Sequence, residues 1–92
     1  MLITAFVGQF KGKRFIVDTY TKKDFESLDE AFEEVVNALK SKLKFETTIL
    51  KSTENHIIFK GEKANHKFYF LFNVGPLNAK GASLILWKYK DT

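Results

Sequence analysis

Leu28, Phe32, Val35, Val36, Leu39 and Leu43 recur at three- and four-residue spacing, which lines one face of an α-helix over residues 27–44. Ser27 followed three residues later by Glu30 fits a capping box, in which the hydroxyl takes an orphan backbone N–H and the carboxylate reaches back. Asp29, Glu30, Glu33 and Glu34 crowd the start of this helix and Lys40, Lys42 and Lys44 its end, as the helix dipole favours.

The remaining apolar positions read as strands. Residues 2–7 are apolar on both alternating faces, as an interior strand is, and residues 15–20 form a second run. Gly12 between them predicts a hairpin; a turn at Lys11-Gly12 places Phe6 beside Val17 and Val7 beside Ile16. Residues 21–26 lead into the helix, with Phe25 folded over its start. Period-two patterning then predicts strands over 44–51, 56–60 and 66–74, joined by turns at 52–55 and 61–65. Phe68, Phe70 and Phe72 share one side of the most apolar strand, Tyr69 and Leu71 the other. A loop over 74–82 holds the only proline, and a last strand over 83–90 sets Ile85, Trp87 and Tyr89 against Leu84, Leu86 and Lys88.

The expected fold class is therefore α+β, one helix packed on a curved, mainly antiparallel sheet in the order β-β-α-β-β-β-β. Ninety-two residues suffice for a single globular domain spanning 1–92, and the ten phenylalanines let so short a chain bury a large apolar area. The absence of cysteine removes disulfides and thiolate metal sites. No basic leader with an apolar core opens the chain and no run approaches about 18 apolar residues, so a cytoplasmic location is expected.

The net charge of +4 conceals a division. Residues 18–34 hold seven acids and two bases, whereas the rest of the chain holds thirteen bases and four acids. A basic surplus favours polyanions and also keeps a small domain soluble.

Chemistry-bearing residues are scattered. His56 and His66 open two neighbouring strands but lack the third ligand a metal needs, so neither metal nor cofactor is expected. Asp18, Tyr20, Tyr69 and the two histidines could in principle serve a small basic ribonuclease, yet none sits in a catalytic motif. The segment 75–83 has Gly, Lys and Ser but not the order, or the following helix, of a phosphate-binding loop. A more coherent set combines cations with aromatics: Lys11, Lys13 and Arg14 at the hairpin tip, and Tyr69, Trp87, Lys88, Tyr89 and Lys90 on the later strands. Were Tyr69, Trp87 and Tyr89 to share an uncovered sheet face, they would form a stacking platform for unpaired bases.

Three functions compete on this reading. The first expectation is a small non-enzymatic module that binds a protein as a regulator or inhibitor, because an acidic helix half would repel a phosphate backbone. The alternative is a single-stranded nucleic-acid-binding domain using the basic tip and the sheet aromatics, and the third a small ribonuclease. A last strand apolar on both faces also suggests a homodimer, since a solitary edge strand tolerates such a surface poorly.

Overall fold

The computed structural model describes residues 1–92. Strands β1 (Leu2–Lys11), β2 (Arg14–Asp24), β3 (Glu46–Ser52), β4 (His56–Lys63) and β5 (His66–Val74) form one sheet in the order β2-β1-β5-β4-β3. Every neighbouring pair is antiparallel. Helix α1 (Leu28–Ser41) connects the two edge strands, β2 and β3, and so crosses the sheet. The chain is α+β with its long helix packed on an antiparallel sheet, as the hydrophobic pattern predicts.

The local chemistry of α1 is as expected at its start and shorter at its end. Ser27 Oγ accepts from the Glu30 N–H at 3.1 Å, and Glu30 Oε2 accepts from the N–H of Glu26 at 2.7 Å, so the reciprocal half of the box lands one residue upstream. The helix stops at Ser41 because Lys44 adopts a left-handed conformation (φ +62°) and Phe45 turns back to donate to the Leu39 carbonyl. Leu28, Ala31, Val36 and Leu39 bury against Ile3, Ile57, Phe59, Phe70 and Phe72, and Phe25 and Phe32 pack at their margin. This α1 face is the core expected of the Phe68/Phe70/Phe72 row.

Pairing along the first hairpin differs from the predicted register. Lys11 pairs with Arg14, so the two-residue turn is Gly12-Lys13, with the positive φ (+63°) at Gly12, where glycine carries no Cβ penalty. Gly8 then faces Val17 and Phe6 faces Tyr20, across a bulge at Val7/Gly8. The shift below the bulge is two residues, so the expected sides survive although the partners change. Gly8 is buried, and a Cβ there would collide with the Ile16 carbonyl and lie 2.6 Å from the Phe15 ring. Strand β2 also continues through residues 21–24, the stretch expected to lead into the helix, because β1 pairs with it as far as Leu2 and Asp24.

The larger correction concerns the C-terminal segment. Residues 83–90 do not form a sixth strand: helix α2 (Ala79–Leu86) and a 3₁₀ turn (Trp87–Tyr89) occupy them. Asn78 caps α2, its Oδ1 accepting from the Gly81 N–H at 2.7 Å. Ala82 and Leu86 bury completely, with Ile85 and Tyr89 beside them, against Phe6, Ile58, Tyr69 and Leu71. That spacing (82, 85, 86, 89) is helical, and it covers the sheet face opposite α1. The motive for a homodimer through a two-faced edge strand disappears with the strand, since the chain covers this face itself.

Candidate nucleic-acid interface

Side chains alternate across the strands, so the register divides the charges between the two faces. Around α1 lie Asp29, Glu30, Glu33 and Glu34, all exposed. On the α2 face, Lys22 lies across from Thr4, Lys51 across from the buried Ile58, and Lys60 across from Tyr69. Lys80, Lys88 and Lys90 come from α2 and the residues after it. Lys60 is engaged with Glu62 at 3.0 Å and Lys67 with the Thr92 carbonyl at 3.3 Å; the other five form no ion pair. The acidic half of α1 and this lysine-bearing surface are therefore on opposite sides of the sheet.

The aromatic residues of the α2 face are of two kinds. Tyr69 is 2% exposed, and its hydroxyl lies 2.9 Å from the carbonyls of both Lys90 and Thr92, between which its one proton is shared. Burial raises its pKa above the usual 10.0, with the charges of Asp91 and Glu62 adding to the effect. It anchors the C-terminal segment and cannot stack on a ligand, which corrects the expected sheet platform. Tyr89 is half-buried against the same core. Trp87, by contrast, is 46% exposed. Lys90 Nζ lies 5.4 Å from its ring centroid, within the range of a cation–π contact.

The structure also brings the hairpin tip to this tryptophan. Phe10 meets Trp87 with ring centroids 6.1 Å apart, Phe15 at 5.0 Å and Tyr69 at 5.2 Å, each edge to face. Lys11 and Arg14 are the next cross-strand pair beyond Phe10 and Phe15, and Lys13 sits in the turn; all three are exposed. By strand alternation Lys11 and Arg14 leave the ribbon on the side away from Trp87, so Lys13 is the tip cation free of that constraint. Gly8 permits the assembly, because only a residue without Cβ lets Phe15 lie across the strand.

Phe10, Lys22, Lys80 and Leu84 of this surface were not among the binding residues expected from the sequence, and Tyr20 was expected only as an acid–base candidate. Leu84 is 66% exposed and Tyr20 49% exposed, the latter beside Lys22, Leu77 and Asn78 in a shallow polar cleft. The signal was present. If 82, 85, 86 and 89 face the sheet, residues 80, 84, 87 and 88 face outward.

The acid–base candidates do not come together. His56 opens β4 across from Asn73 while His66 lies across from Lys63 at the far end of that pair, seven positions and roughly 23 Å away. Gln9 Nε2 donates to Asp18 at 3.0 Å. His56 has its pKa lowered from 6.5, first by partial burial and then by the positive charges of Lys51 and Lys88. Glu62 has its own lowered, chiefly by the hydrogen bond from Lys60. Comparison with protein-family models, with curated proteins and with solved structures returns no match for this chain.

Proposed function

We propose that this protein is a non-enzymatic binding module whose α2 face holds single-stranded nucleic acid. One observation carries the reading: an exposed tryptophan stands among unpaired lysines on one side of the sheet, while the acidic half of α1 stands on the other. The sequence alone left the acidic helix as an argument against a phosphate backbone. Its placement across the sheet weakens that argument, since exposed charges farther apart than a Debye length of about 10 Å are largely screened by the surrounding salt solution.

In this reading Lys88 and Lys90 hold phosphates beside Trp87, with Lys22, Lys80 and Lys13 as outlying contacts. A flat indole accepts a base on its face, which only an unpaired base can offer, so a single strand is preferred over duplex. No sequence preference follows from such a surface, because every base presents a π-face.

The test is the salt dependence of oligonucleotide binding. The five lysine contacts give a slope of log affinity against log salt of about −3.5 for a single strand. Changing Lys88 and Lys90 together to Ala should bring that slope closer to zero by about 1.4, whereas Trp87→Ala should weaken binding by about 1–3 kcal/mol and leave the slope alone. Loss spread equally over every lysine, including Lys40 on α1 and Lys42 just past its end, would reduce the interaction to diffuse attraction and overturn the reading.

A further inference from the structure

A second surface lies on the opposite side of the sheet. Where α1 ends, Leu39 and Leu43 stand off the strands, and Val7, Phe45, Phe68 and Phe70 complete a groove of about 220 Å³ lined by these six apolar side chains and no polar one. Leu43 forms its mouth and is 51% exposed. The groove is smaller than the roughly 300–1,000 Å³ of small-molecule sites, and its size suits one large apolar side chain. Its surroundings carry more lysines than acids, although Glu46 and Glu62 share a neighbouring cleft with Lys44 and Lys63. Lys40, Lys42 and Lys44 are exposed and unpaired around Leu43 in the chain, and Lys63 Nζ donates to the Leu43 carbonyl at 2.9 Å. The acids of α1 stop at Glu34, seven residues and about 10 Å of helix before its end at Ser41.

We infer that this groove docks a protein partner through an acidic segment bearing a single leucine or phenylalanine anchor. The apolar side chain would fill the space between Leu43, Phe45 and Phe68, and flanking carboxylates would meet Lys40, Lys42 and Lys44. An anchor buried in such a pocket typically dominates the affinity of a short segment, and the surrounding charges set which segments are accepted. The left-handed Lys44 contributes by turning the chain sharply, which brings Phe45 back to close the groove's end. This site shares no residue with the α2 face and does not depend on the nucleic-acid reading.

The experiment titrates the protein, isotope-labelled for NMR, with three synthetic ten-residue peptides. One carries a central leucine flanked by Asp and Glu, one has that leucine replaced by Ala, and one has the acids replaced by Lys. The acidic leucine peptide should shift the amides of Val7, Leu43, Phe45 and Phe68, and binding should weaken about tenfold or more without the anchor. It should weaken again in the variant carrying Lys42→Glu and Lys44→Glu, which are surface changes that leave the core intact, while oligonucleotide binding is retained. Equal binding of the acidic and basic peptides, or no shift at these amides, would overturn the inference. So would the same shifts produced by laurate but not by peptide, or by raising the concentration of the protein alone, since either would give the groove to a lipid or to a second copy.

Discussion

Phe70 stacks on Phe59 with centroids 4.5 Å apart and planes 7° from parallel, and Phe72 meets Phe59 edge-on at 5.5 Å. Truncating a ring at the centre of this cluster removes its transfer energy and leaves a cavity. Phe70→Ala should therefore cost about 3–5 kcal/mol, read as a large fall in the urea midpoint. A midpoint near wild type would mean the α1 face is not the principal core. Ala64 makes the opposite case. It turns β4 into β5 with φ +54°, a conformation that strains any residue with a Cβ. Ala64→Gly relieves that strain at the smaller cost of a more flexible unfolded chain, so stability should rise by about 0.5–1 kcal/mol with the slope of the urea transition unchanged. A lower midpoint would mean that turn is not left-handed. Residues of the first kind were legible in the sequence, because the Phe68/Phe70/Phe72 alternation can face only one way. Residues of the second kind were not, because nothing about alanine announces a positive φ.

At the scale of elements, α1 and α2 show what a sequence pattern can and cannot disclose. Helix α1 was legible because its apolar stripe is bordered by acids, lysines and a capping serine, so period and charge agree. Helix α2 was not, because Leu84, Ile85, Leu86 and Trp87 form a continuous apolar run in which period two and period 3.6 both fit, and aromatic content favours the strand. The deciding contacts are with Phe6, Ile58 and Leu71, which are distant in sequence. The proposed interface was hidden for the same reason, since a strand would have put Trp87 and Tyr89 on one side, whereas the helix turns Trp87 outward and Tyr89 in. Asn78→Ala tests the element directly. Loss of this cap should cost about 1 kcal/mol and loosen the C-terminal segment, visible as altered near-ultraviolet dichroism from Trp87. An unchanged spectrum and stability would argue against a helix starting there.

Over the whole molecule, the sheet works as a divider. Its α1 face carries acids toward one end of the helix and an apolar groove with lysines at the other, and its α2 face carries lysines around Trp87. The division predicts a pH effect. His56, held below its usual pKa, is neutral in the folded protein at pH values where the unfolded chain is already protonated. Its contribution to stability is thus present above about pH 6.5 and is lost as the pH falls below that value. Phosphate bound beside Lys88 would offset part of the positive field, so the NMR-detected pKa of His56 should move upward when a single strand binds. A value unmoved at saturation would place the backbone away from Lys88.

Trp87 is the only tryptophan in the chain, so its emission reports on the proposed interface without a label. The most direct test of the account is a titration of intrinsic fluorescence with an unlabelled deoxythymidine oligonucleotide at low salt. The account predicts saturable quenching of Trp87 by the single strand, weaker quenching by a duplex of the same length, and recovery of emission as salt is raised. Tryptophan emission that stays constant while an independent assay records saturating oligonucleotide binding, or an absence of binding at low salt, would contradict it.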